Sequence, residues 1–141
     1  MTYASGTEAV SMTLKTGTTV AGAGYILTND GTSNTVDLSA ATEVGLFISA
    51  DESSRDAAGD LDTSAGATVS AYPLGGAILV AATASQTYTT GLTVYVGANG
   101  LATITAGSNK KLGLYVGGGE DTSSTNGETL ILVATAGAAI A

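Results

Sequence analysis

One strand-like phrase occurs twice in this chain, and it limits the possible fold more than any other feature. Val44-Gly45-Leu46-Phe47-Ile48-Ser49 returns as Leu112-Gly113-Leu114-Tyr115-Val116-Gly117. Each copy runs into a polar, acidic stretch, Asp51 to Asp62 in the first case and Glu120 to Thr125 in the second. Each stretch is followed by a second similar phrase, Gly66-Ala67-Thr68-Val69 and Gly127-Glu128-Thr129-Leu130. Short apolar runs bounded by Gly, Asn, Asp and Ser form strands rather than helices. Their recurrence predicts a compact, repetitive β structure. In that structure the two phrases would be equivalent walls of one barrel and the acidic stretches its exposed tips.

The remaining segments read the same way. Tyr25-Ile26-Leu27 ends at the turn sequence Asn29-Asp30-Gly31, and Thr35-Val36-Asp37-Leu38-Ser39 alternates. Thr68 to Tyr72 alternates up to Pro73, and Ala77 to Ala81 is a buried-type run. Leu92 to Val96 and Leu101 to Thr105 flank Gly97-Ala98-Asn99-Gly100, whose Asn-Gly suits positive φ in a hairpin turn. Lys111 to Val116 and Thr129 to Val133 make a last pair. Long helices are disfavoured because the alanine-rich patches carry too much Gly and Thr. The expectation is an all-β chain: a small β-barrel or sandwich of about eight short strands spanning residues 25–141 as a single domain. Residues 1–24, low in charge and rich in Gly and Thr, read as an N-terminal arm, extended or partly ordered, in which Met12-Thr13-Leu14-Lys15 could form a strand.

Composition narrows the chemistry. With no Trp and one Phe, the core must be built from Val, Leu, Ile and Ala, a modest core that oligomerisation would help to stabilise. Twelve acidic residues against four basic ones give a net charge of -8. That balance opposes binding to nucleic acid phosphates or to anionic membranes, both of which need clustered Lys and Arg. There is no Cys and no His, which removes thiolate chemistry, zinc-thiolate sites and the commonest general base. The first residues lack a basic patch followed by an apolar run, and no stretch reaches the ~20 apolar residues of a membrane-spanning helix. Synthesis in a cytoplasm is the expectation.

Candidate sites are few. Asp51, Asp56, Asp60 and Asp62 form an oxygen-rich cluster of the kind that can hold calcium. Counting from Asp51 or Asp60, however, Asp56 or Ala65 stands where a calcium loop needs Gly, and Asp62 or Ala71 stands where it needs Glu. Arg55 sits within the cluster and can pair with a neighbour. Paired carboxylates could serve glycoside hydrolysis, but these lie in glycine-rich loops without aromatic residues to bind sugar. Gly117-Gly118-Gly119 is followed by Glu120-Asp121, which would repel phosphate. No Ser-x-x-Lys occurs to activate a serine. The chain therefore reads as a non-enzyme with no catalytic residues, no cofactor and no metal beyond those weak aspartate candidates. Lys110-Lys111 is the only basic pair, and Tyr72, Tyr88, Tyr95 and Tyr115 suit core edges or an interface.

The ordered phrases from Val44 to Val133 resemble a known family. They run through Gly66-Ala67-Thr68-Val69-Ser70-Ala71 and Gly75-Gly76-Ala77-Ile78-Leu79-Val80 to Thr90-Gly91-Leu92-Thr93-Val94-Tyr95-Val96. Asn99-Gly100-Leu101-Ala102-Thr103, Leu112-Gly113-Leu114-Tyr115-Val116 and Gly127-Glu128-Thr129-Leu130-Ile131-Leu132-Val133 complete the series. The series is similar to the head decoration, or cement, proteins of tailed bacterial and archaeal viruses. Glu128 departs from the aspartate usual in that family's closing strand, and the first acidic loop is longer. The resemblance implies a β-barrel-like body, usually a trimer, bound to the outside of a capsid and partnered with the major capsid protein. It also implies an N-terminal arm that reaches across capsid subunits. Met12, Thr13, Leu14, Lys15 and Thr16 are then the candidate capsid contacts, since an arm with free backbone groups can add a strand to an edge. Two other readings remain open: a secreted surface-layer or adhesin-type module, and a calcium- or sugar-binding β domain.

Overall fold

β-branched and aromatic residues in short runs, punctuated by Gly and Asn, fold here into strands and almost nothing else. The computed structural model of the chain describes residues 8–31, 34–83, 86–117 and 128–135. Among these residues there are ten strands: β1 Val10–Leu14, β2 Ile26–Asn29, β3 Thr35–Leu38, β4 Phe47–Ser49, β5 Thr68–Pro73, β6 Gly76–Thr83, β7 Thr93–Val96, β8 Ala102–Thr103, β9 Lys111–Tyr115 and β10 Glu128–Thr135. One 3-10 turn, Ala98–Gly100, joins β7 to β8. It sits on the Asn-Gly pair, with Asn99 at φ 57° and Gly100 at φ 76°.

The strands close into two barrels, not one. The first runs β1-β3-β2-β4-β5 and returns to β1; the second runs β6-β8-β7-β9-β10 and returns to β6. The two orders are the same. In each barrel the first strand pairs parallel with the third and antiparallel with the fifth. The second strand lies between the third and fourth, and the fourth pairs with the fifth. The repeated phrases fall on matching strands: Val44 to Ser49 contains β4, and Leu112 to Gly117 covers most of β9. The second pair of phrases leads into β5 and β10. The expected equivalence of the phrases is therefore an equivalence between barrels. A single barrel fails because each set of five strands already satisfies its own backbone groups by closing on itself.

The reading of residues 1–24 as an arm also changes. Residues 1–7 lie outside the described residues, but β1 is a wall of the first barrel with a partner on each side: Met12 opposite Val69, and Leu14 opposite Val36. Leu14 and Val20 are buried in the first core with Leu27, Val36, Val69 and Ala71. Burial of these two side chains draws the segment in.

The second core explains why the barrels act together. It contains Ile78, Val80, Val94, Val96, Leu112, Ile131 and Val133 from the second barrel, and also Ile26 and Ile48 from the first. On β2, Leu27 points into the first barrel while Ile26 points out of it, into the second core. That is why Tyr25 to Thr28 is buried on both faces. Backbone and hydroxyl bonds cross the same junction. Ala81 N donates to Gly24 O at 2.7 Å, Gly100 N to Ser39 O at 3.1 Å, and the Ser39 hydroxyl to Gly97 O at 3.1 Å. The glycine of each repeated phrase is required by close approach: a Cβ on Gly45 would lie 2.8 Å from Ile26 Cγ2, and one on Gly113 would strike the Ala134 carbonyl.

Because Ile26 and Ile48 belong to one barrel and to the core of the other, thermal or urea unfolding should give one cooperative transition. Circular dichroism and tyrosine fluorescence traces that separate would contradict this. Gly24 has φ +97°, and a Cβ there would lie 2.7 Å from Leu130 Cδ2 and 2.9 Å from Ala81 N. Gly24→Ala should thus cost about 2–4 kcal/mol. Gly22→Ala, with nothing within 4 Å of its Cβ, should stay within about 0.5 kcal/mol.

Candidate functional site

The acidic loop between β4 and β5 is tied to itself. Asp56 Oδ1 accepts from Ala58 N at 2.9 Å and Asp60 N at 3.0 Å. Asp62 Oδ1 accepts from the backbone N and the hydroxyl of Ser64 at 2.9 and 2.7 Å, and Asp51 Oδ1 accepts from Glu52 N at 2.7 Å. Arg55 forks onto Glu52, its Nε and Nη2 each 2.9 Å from a carboxylate oxygen, and its Nη1 donates to Gly59 O at 2.6 Å. A single bridge, Arg55 with Leu61, closes the loop. The carboxylates thus serve as turn acceptors, the usual use of Asp in loops. Among the described residues, Asp51, Asp56, Asp60 and Asp62 are not brought into any cluster of three or more groups that could hold a metal ion. Hydrogen bonds from Arg55 hold the Glu52 carboxyl below its ordinary value, and those from Ser64 do the same for Asp62. The second acidic stretch, Glu120 to Thr125, lies outside the described residues.

The candidate capsid contacts divide. Met12 packs against the first core, Thr13 pairs with Thr68 and Thr35, and Leu14 is 1% exposed. Thr13 and Leu14 already have backbone partners on both sides, and Met12 is paired with Val69 on one, so adding a strand at Thr13 and Leu14 would require opening the barrel. Lys15 and Thr16 remain exposed. Lys15 Nζ lies 3.7 Å from Asp37 Oδ2, an exposed ion pair that contributes little. Lys111 is exposed and lies opposite Tyr95 on β7, while the Lys110 carbonyl accepts from Val96 N.

The structure adds three features that the sequence reading did not single out. An open cleft of about 430 Å³ lies at the junction of the barrels, lined by Thr18, Thr19, Asp37, Ser39, Ala98 and Asn99 among others. Its one carboxylate, Asp37, already accepts from the Thr18 hydroxyl and from Leu38 N, both at 2.8 Å.

The second feature is a polar knot on the segment between β6 and β7. Gln86 Oε1 accepts from Ile104 N at 3.0 Å and from the Tyr88 hydroxyl at 3.1 Å, while Gln86 Nε2 donates to the Thr103 hydroxyl at 3.0 Å. The Tyr88 and Tyr115 rings lie 5.6 Å apart at 42°. Burial pushes the Tyr88 phenol from 10.0 up to about 12.

The third is an apolar outer face on the second barrel. Ile78, Val80 and Ala82 point inward, so Ala77 and Leu79 point out; Ile131 and Val133 point inward, so Leu132 and Ala134 point out. Register sets Ala134 between Leu114 and Ala77, and Leu132 beside Leu79. Leu114 is 47% exposed and Val116 is 42% exposed. The signal for this face was present in Leu130-Ile131-Leu132-Val133, which is apolar on both faces of a strand; without a topology it could not be told which side lacked cover.

Comparison with protein-family models and with curated proteins returned no match.

Two titrations check this description. In Arg55→Ala the Glu52 carboxyl should return toward its ordinary 4.5, read by NMR. In the wild type its folded value is depressed, so the pair acts above that ordinary value and is lost as pH falls through the folded one. For Tyr88 the folded value is raised, so its contribution is complete below pH 10.0 and disappears as pH rises toward about 12. Absorbance at high pH should show a late-titrating tyrosine that vanishes in Tyr88→Phe.

Proposed function

We propose that this chain is a structural virion protein that binds the outer surface of a viral capsid and stabilises the shell. The observation that carries this reading is the ordered series of phrases from Val44 to Val133 that resembles head decoration proteins. Its phrases lie on or lead into β4 to β10, strand after strand. The architecture is compatible with the role. Two closed barrels with a shared core make a stiff body without open sheet edges in the barrels, which suits a clamp that resists separation of its neighbours. The protein would act by contact and not by catalysis, with the major capsid protein as partner and the capsid exterior as its place, as a homo-oligomer for which the resemblance favours a trimer. Many copies on one particle would let modest contacts at each site add up through avidity. Exposed acids such as Asp51, Glu52 and Asp60 would keep a crowded particle surface from aggregating. Of the five contact candidates, Lys15 and Thr16 are the two that are exposed, so their side chains could reach a capsid without opening the barrel.

Purified protein mixed with expanded shells of the virus that encodes it should co-sediment with them, and decorated shells should withstand higher temperature before releasing their genome. Lys15→Glu should weaken retention if the β1 end faces the shell. Failure of wild-type protein to be retained on such shells would remove the reading.

A further inference from the structure

The cleft at the junction of the barrels is built from three separate segments. Thr18 and Thr19 come from the link between β1 and β2, Asp37 and Leu38 from β3, and Ala98 and Asn99 from the 3-10 turn of the second barrel. Two bonds hold that turn against the end of β3: Gly100 N donates to Ser39 O at 3.1 Å, and the Ser39 hydroxyl donates to Gly97 O at 3.1 Å. Ser39 is 1% exposed, so these bonds are shielded from water. The walls are therefore fixed relative to each other before any ligand arrives. The volume, about 430 Å³, falls within the roughly 300–1,000 Å³ of small-molecule sites.

The polar groups of the cleft are only partly spent. Two hydrogen bonds onto Asp37 Oδ1, from the Thr18 hydroxyl and Leu38 N, fix the orientation of the carboxylate. Asp37 Oδ2 has only the Lys15 ammonium, whose 3.7 Å is too long for a hydrogen bond. Among the described residues, the Thr19 hydroxyl and the Asn99 side-chain amide make no hydrogen bond. Asn99 is held at φ 57° on the anchored turn. The cleft thus offers one free acceptor together with an amide and a hydroxyl, each able to donate and accept. Leu38 and Ala98 add apolar surface to the lining.

This set of groups selects among ligands. The lining contains no Lys or Arg, so an anion would meet the Asp37 charge unopposed. A divalent cation takes about six or more oxygens, and the described residues hold no group of three or more metal-ligating side chains. The lining contains no aromatic ring on which a heterocycle could stack. An apolar ligand would strip water from Asp37 Oδ2, Thr19 and Asn99 and leave them unpaired. A neutral molecule with several hydroxyls, each both donor and acceptor, satisfies all three groups. Without a ring to stack on, it would be held by hydrogen bonds and bind weakly.

We propose that this cleft is a binding site for a neutral saccharide. Asp37 Oδ2 accepts from one sugar hydroxyl, and the Asn99 amide and Thr19 hydroxyl pair with others. The site is separate from the aspartates of the acidic loop and independent of whether the chain binds a capsid.

NMR titration of the isotope-labelled full chain tests it, with glucose, galactose, mannose, N-acetylglucosamine, maltose and lactose as probes. At least one should shift the amide signals of Thr19, Leu38 and Asn99 saturably, with a dissociation constant on the order of 1 mM. Asn99→Gly permits the left-handed backbone and removes the side-chain amide, so it should weaken binding by about fivefold. Ala98→Phe, at an exposed position, should fill the cleft and abolish binding. Both variants should keep the circular dichroism spectrum of the wild type. Absence of a saturable shift at these residues with every probe would overturn the proposal, as would binding unchanged in both folded variants. Shell retention lost in these variants, with no sugar bound by the wild type, would assign the cleft to the capsid protein and overturn it too.

Discussion

Ile26 and Ile48 lie on the outside of one barrel and inside the apolar core of the other. Much of the remaining structure depends on that sharing. Five strands of three to six residues enclose a small core, and the first barrel's has Leu14, Val20, Leu27, Val36 and Val69 as its larger aliphatic members. A core of that size stabilises a fold only marginally on its own. Placing two isoleucines of the first barrel against Val96, Leu112 and their neighbours lets each barrel complete the other. The cost is tight backbone approach, met by Gly24, Gly45 and Gly100, each of which leaves too little room for a Cβ at the junction. The polar groups there are not left unpaired: the Ser39 hydroxyl and carbonyl, Gly24 O and Ala81 N all find partners across it.

The same constraint orders the surface. The outer side of β4 and β5 joins the barrels through Ile48 and Tyr72, while Leu114 and Val116 on the β9 side of the second barrel stay exposed. The polar outer pairs Ser11–Ser70 and Thr13–Thr68 show that this fold has no need of apolar residues at such positions when nothing covers them. In the acidic loop, carboxylate oxygens of Asp56, Asp62 and Glu52 accept from Ala58, Asp60, Ser64 and Arg55.

Strands were legible because alternation and turn residues act locally. Thr35 to Leu38, the Asn99-Gly100 turn and the β9–β10 pair all lie where the sequence places them. The barrel count was not legible, because closure depends on which distant strands pair, such as β1 with β5. Nor was the incorporation of β1 into a barrel. Residues 8–24 look unpromising alone, and only the pocket formed by Leu27, Val36 and Val69 makes Leu14 and Val20 core residues. Leu14, one of the capsid-contact candidates, is a core residue for that reason.

By itself the sequence determined an all-β chain with two matching halves, little reactive chemistry and a strong negative charge. These follow from residue types and short-range periodicity, which require no knowledge of neighbours. Tertiary structure alone decided that the halves are two closed barrels, that they share a core through Ile26 and Ile48, and that Leu114, Val116 and Leu132 face outward uncovered or partly covered. The physical reason is that a strand apolar on both sides has two faces to bury, and only the packing of whole barrels determines which of them finds cover within the chain.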